Sequence, residues 1–146
     1  MNLDELRKQL EIDEGVKYEI YNDHLGYPTF GIGHLILESD PEYNRPVGSA
    51  VLESRVAEAF EADCETVLID CITLYLDFYD LPEEAQQIIA NMMFNMGRTR
   101  LSKFKKMHAA IIESDWKTAA VEGRDSRWHK QVTNRAERLM ERLESV

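Results

Sequence analysis

Basic side chains are scarce in the first two-thirds of this chain, where residues 1–97 hold 5 Lys/Arg against 20 Asp/Glu, a balance of −15. Residues 98–146 reverse this with 12 Lys/Arg against 7 Asp/Glu, a balance of +5, so the chain carries −10 in all. Neither half shows a nucleic-acid-binding motif, which argues against that partner. The basic rear is the part suited to a polyanion. Cysteine is equally scarce. Cys64 and Cys71 lie seven residues apart in a helical pattern, which puts their backbones roughly 10 Å apart, too far for a disulfide within one helix. Free thiols of a reducing compartment are the expectation. No Cys/His cluster has metal-ligand spacing. The first eight residues are charged and lack the apolar run of a signal peptide or membrane anchor. The chain is therefore expected to be made in a cytoplasm and to need help to leave it.

What remains is an ordinary composition, 44% hydrophobic and 30% charged, without internal repeats or low-complexity tracts. Its length suffices for one domain, or for two small lobes sharing an element. Leu3, Leu6 and Leu10 recur at helical spacing up to a stop at Gly15. From 16 to 21 β-formers dominate, Asn22-Asp23-His24-Leu25-Gly26 reads as a turn, and 27–32 resumes extended character. Leu35-Ile36-Leu37 suggests a short third strand, and 38–48 a loop. A long helix is predicted over 50–76. Another opens at Pro82 and stops at Gly97, and further helices fit 103–114, 115–123 and 134–145. Met92, Met93 and Met96 read as core packing, and Trp116 and Trp128 as packing anchors.

Glu14 closes the first helix and Asp23 lies in the following turn, so a helix end and a hairpin can aim two carboxylates at one space. Such a pair is the equipment for glycoside hydrolysis, one carboxyl protonating the leaving oxygen while the other activates water or attacks the sugar. In an acidic chain two carboxylates nine residues apart are weak evidence. Their surroundings add to it. Ile12-Asp13-Glu14-Gly15, Tyr21-Asn22-Asp23 and Gly26-Tyr27-Pro28-Thr29-Phe30-Gly31-Ile32-Gly33-His34-Leu35 closely resemble the phage-type lysozymes, the endolysins of the T-even phage lysozyme family. The resemblance continues through Asn91-Met92-Met93-Phe94-Asn95-Met96-Gly97, then Ser126-Arg127-Trp128, Gln131 and Asn134-Arg135-Ala136, in family order over most of the chain.

The resemblance implies an α+β, lysozyme-like fold. A small hairpin lobe over about 13–50 would join, through a helix over about 50–76, a helical lobe of 1–12 plus 77–146. It implies a glycoside hydrolase that cuts the β-1,4 bond between N-acetylmuramic acid and N-acetylglucosamine in peptidoglycan, without cofactor or metal, for host cell lysis. Glu14 would be the general acid, Asp23 the group that deprotonates or positions water, and Thr29 the hydroxyl that holds it. Pairing Asp23 with a Thr-held water suggests inversion. Leu35, Phe94 and Asn95 would contact the glycan, and Arg135 would support the cleft near Glu14. His34 and Asp63 would form a structural ion pair. The partners implied are glycan strands, with no nucleic acid and no membrane insertion, for a monomer waiting in the host cytoplasm until a holin pore releases it to the periplasm. Two rivals stand beside this: a virion-associated cell-entry lysozyme, and a peptidoglycan-binding module without catalysis. A transglycosylase or chitinase is a weaker alternative. The chain departs from the family at Met107 and Glu122, where relatives can carry small polar substrate contacts, so rear-lobe subsites are not carried over. Its segment between His34 and the long helix is also short.

Overall fold

The computed structural model describes all 146 residues and is a mostly helical α+β protein with one small sheet. Helix α1 spans Leu3–Glu14, and strands β1 (Lys17–Asn22), β2 (Pro28–Gly31) and β3 (His34–Leu35) follow in an antiparallel meander. Then come α2 (Glu53–Leu74), a 3-10 turn at Phe78–Asp80, α3 (Glu83–Leu101), α4 (Lys105–Ile112), α5 (Trp116–Arg124), α6 (Arg127–Gln131) and α7 (Thr133–Glu144). The chain divides into two compact units, one of 7–66 and one of 1–6 with 67–146, the boundaries falling inside α1 and α2. No helix is long and apolar enough to cross a membrane.

In the 7–66 unit the sheet owes its two faces to the period of two along a strand. Ile20 and Phe30 are buried. Phe30 pairs with His34 in register, and Arg55 of α2 lies 5.3 Å over the Phe30 ring. Tyr21, Thr29 and Leu35 form the alternate row, since Tyr21 opposes Thr29 and Thr29 opposes Leu35. The free edge of β1 is covered by 48–51, with Ile20 N–H donating to the Ser49 carbonyl at 2.9 Å and Gly48 N–H to that of Ile20 at 2.8 Å. An edge so covered offers no template for pairing with another chain.

In the larger unit α3 supplies a buried centre of Ile88, Ile89, Met92 and Met93. Helix α7 buries Ala136, Leu139, Met140 and Leu143, the i, i+3, i+4, i+7 stripe of an amphipathic helix. Trp128 is buried as an anchor, whereas Trp116 is half-exposed. Gly97, read as a stop, is non-helical inside α3 at φ 80°, ψ 166°, and the chain resumes helix beyond it to Leu101. The third strand is two residues long, shorter than expected. Both thiols are free and buried, and burial pushes Cys64 up to about 11 and Cys71 up to about 12. Neither is a nucleophile near neutral pH.

Candidate active site

Glu14 is the last residue of α1, and Gly15 N–H closes the helix on the Glu11 carbonyl at 2.9 Å. The chain then turns directly into β1. Asp23 sits at the hairpin, where its Oδ1 accepts from Leu25 N–H and Tyr27 N–H, each at 2.9 Å. Its own N–H donates to the Tyr27 carbonyl at 2.9 Å. A side-chain oxygen that replaces a backbone acceptor is what Asp does best in turns. These bonds hold one carboxylate oxygen in place and do not involve Oδ2.

The sheet register sets the rest. Tyr21, on β1 two residues before the turn residue Asp23, lies opposite Thr29. The Tyr21 phenol is pushed above its ordinary value by burial, then by the negative charges of Glu14 and Asp23. The fields of both carboxylates thus converge on one hydroxyl, which stays a protonated donor at neutral pH. Lys17 Nζ lies 4.2 Å from the centroid of the same ring, a cation–π distance. Thr29 is buried, and its hydroxyl donates to the Tyr27 carbonyl at 2.9 Å. That leaves the Thr29 oxygen to accept only.

The second glycine of the Gly-Ile-Gly turn has a definite task. A Cβ on Gly33 would lie 2.5 Å from Glu14 Oε2 and 2.9 Å from its Cδ, and the residue has φ +61°. The backbone can pass the Glu14 carboxylate only where there is no side chain. Spacing alone reads the two glycines as a tight bend, and neither this contact nor the influence of both carboxylates on Tyr21 can be read from it.

Leu35 is half-exposed in the Thr29 row. Phe94, Asn95 and Arg135 belong to the other unit. There Asn95 Oδ1 accepts from Trp128 Nε1 at 2.7 Å, and Arg135 Nε donates to Oδ1 of buried Asn91 at 2.9 Å. Asn95 thus braces the Trp128 indole, a structural role in addition to the glycan contact expected of it. Met107 is buried core, and Glu122 lines an open depression with Lys103, Lys105 and Lys106.

His34 is buried with both ring nitrogens bonded, Nδ1 to Asp63 at 2.7 Å and Nε2 to Asp40 at 2.8 Å. The Asp63 pair agrees with expectation. Asp40 is an additional partner, and it also meets Arg55 Nη2 at 3.1 Å. Burial alone would lower the His34 pKa, but the bonds and charges of Asp63 and Asp40 outweigh it and raise it.

Residues 11–145 match the phage lysozyme family. The chain belongs to that family. It is 33% identical to a probable T4-type lysozyme 2 of Dictyostelium discoideum, over 96% of this chain and 94% of that protein. It is 29% identical to the pre-baseplate central spike protein Gp5 of Enterobacteria phage T4, over 92% of this chain but 26% of that one. It is 28% identical to the peptidoglycan hydrolase gp36 of Pseudomonas phage phiKMV, over 94% of this chain and 15% of that protein. The enzyme is accordingly a peptidoglycan-hydrolysing lysozyme.

Proposed function

We propose that this lysozyme hydrolyses the β-1,4 bond between N-acetylmuramic acid and N-acetylglucosamine with inversion at the anomeric carbon. The observation that supports it is the convergence of Glu14 and Asp23 on Tyr21, on the sheet face that carries Thr29. Glu14 delivers a proton to the glycosidic oxygen as the bond breaks. Water attacks the opposite face of the sugar. With its hydroxyl proton engaged by Tyr27, Thr29 accepts one hydrogen of that water. Asp23 takes the other through the oxygen not held by the turn. The water lone pair then points at the anomeric carbon, which is the alignment displacement needs. Leu35, Phe94 and Asn95 contact the glycan, the last through its amide NH2. Arg135, whose guanidinium is held by Asn91, is the residue of the larger unit assigned to supporting the cleft.

Mass spectrometry of products from purified peptidoglycan tests the bond and the chemistry together. Reducing-end N-acetylmuramic acid is the expected product. A 1,6-anhydro ring would mean transglycosylation, and reducing-end N-acetylglucosamine would mean that the other bond is cut. In biological terms we place the chain in the host cytoplasm as a monomer until a holin pore releases it. A virion-associated role in cell entry is the second reading, supported by similarity to a baseplate spike protein. Detection of the chain in purified virions would favour that role over lysis from within.

A further inference from the structure

The main chain of one residue holds both groups assigned to the attacking water. Tyr27 N–H donates to Asp23 Oδ1 at 2.9 Å, and the Tyr27 carbonyl accepts from Asp23 N–H at 2.9 Å and from the Thr29 hydroxyl at 2.9 Å. These bonds use the one donor and both lone pairs that a residue's main chain offers. The N–H and the carbonyl belong to successive peptide planes, whose relative orientation is set by the φ and ψ of Tyr27. A change in either torsion therefore moves the Asp23 carboxylate against the Thr29 hydroxyl. Side-chain packing does little to hold those torsions, because Tyr27 is 56% exposed and Pro28 is exposed too. The ring of Pro28 does restrict them, since a proline clashes with the α conformation of the residue before it and confines that residue to extended backbone. Pro28 is itself tied to the sheet, its carbonyl accepting from Ile36 N–H at 3.0 Å. The ladder also has room for the missing proline N–H. Hydrogen-bonded and non-bonded pairs alternate in an antiparallel sheet. Asp23 and Tyr27 are bonded, so the next pair, Asn22 and Pro28, is a non-bonded one and the proline forfeits no ladder bond.

We propose that Pro28 is a positioning residue for hydrolysis, which keeps Tyr27 extended and thereby holds the Asp23 carboxylate and the Thr29 hydroxyl at one separation for the attacking water. The inference rests on the reading that these two groups hold that water. Pro28 acts through the Tyr27 main chain and takes no part in the proton transfers. Another residue at 28 frees Tyr27 to visit the α region, where rotation of ψ turns its carbonyl away from both Asp23 N–H and the Thr29 hydroxyl. The alignment matters because a misplacement of 1 Å can cost about 10²-fold in rate.

The test is a kinetic cycle on the intact protein, in which Pro28→Ala, Thr29→Val and the double variant are assayed on soluble glycan strands. Pro28→Ala should fold, since the side chain it shortens is exposed, and thermal melts check this. We expect kcat to fall about three- to tenfold in Pro28→Ala with KM unchanged, part of the ~10²-fold cost of a full 1 Å displacement. In the Thr29→Val background the same change should cost clearly less, because effects that act through one shared contact do not add independently. NMR three-bond couplings of the Thr29 side chain should report one rotamer in the native chain and averaging in Pro28→Ala. A native kcat in Pro28→Ala, a loss of equal size in both backgrounds, or a single Thr29 rotamer kept in Pro28→Ala would each overturn the proposal. Thr29→Val with a native rate would overturn the water-holding reading itself, and the proposal with it.

Discussion

Glu14 ends a helix, and the residues after it bring the backbone of Gly33 against its carboxylate. The position of the Glu14 carboxylate, the proton donor of the proposed reaction, therefore depends on a residue with no side chain. Gly33→Ala forces a Cβ into Glu14 Oε2 and places a side chain at φ +61°, a conformation that costs about 1–2 kcal/mol. Lysis should fall by more than the loss of folded protein explains, and turbidity assays paired with thermal melts check this. Equal fractional losses of activity and folded protein would remove the positioning role. Glu14→Gln keeps the shape and removes the proton, so kcat should drop about 10²–10⁴-fold, the contribution of general acid catalysis. A folded Glu14→Gln protein with near-native rate ends the assignment. If, as proposed, a water held by Asp23 and Thr29 attacks from the face opposite the leaving group, the first product is the α-anomer. NMR of fresh products, taken before mutarotation, reads this directly, and a β product would indicate a retaining route.

At the scale of elements, His34 ties the sheet to α2 through Asp63 and to the 37–48 segment through Asp40. Arg55 extends the tie to Glu42 at 3.0 Å and Glu58 at 3.3 Å. The His34 pKa is raised, so its contribution is complete below the unfolded value of about 6.5 and is lost as pH rises through the folded value. Arg55 lowers Glu42; backbone and side-chain hydrogen bonds lower Asp40 against the opposing effect of burial. Their contributions are present above about pH 4 and are lost as pH falls. The network should stabilise most between these limits. His34→Asn should therefore lower Tm by several degrees near pH 5.5 and by progressively less as pH rises toward 8, in melts at constant ionic strength. A Tm deficit independent of pH would show that His34 acts by packing alone. Elements of this kind were unevenly legible. Helices α1, α5 and α7 follow from their apolar period, and Asp115 caps α5 as its side chain accepts from Thr118 N–H. Five-residue α6 and the turn at Phe78–Asp80 were not anticipated, because segments so short carry no period to detect.

At the scale of the whole molecule the charge of −10 is divided between an acidic front and a basic rear. Peptidoglycan stems carry carboxylates. At about 0.01 M salt the screening length is roughly 30 Å, so the net charge governs approach and repels. Near 0.15 M it shrinks to roughly 8 Å, and only charges beside the bound strand count. Lys103, Lys105 and Lys106 are exposed around one depression, whereas Arg98 is paired with Asp70 at 3.5 Å. Lysis should rise from low to moderate salt and then decline as these lysines are screened. Initial rates on purified peptidoglycan across that range decide it. A rate that falls from the lowest salt upward would mean that local attraction dominates throughout.

The longer helices, the hairpin and its turn, the buried methionines, the unbridged thiols and the Glu14–Asp23–Thr29 motif were set by the sequence, since each depends on spacing along one stretch of chain. Tertiary structure decided what depends on distant stretches meeting. Asp40 as a second partner of His34, Gly33 beneath Glu14 and Asn95 turned to Trp128 are contacts between segments. Local propensity carries no term for such pairs, because their energy appears only when packing brings the side chains within a few ångströms and excludes water from between them.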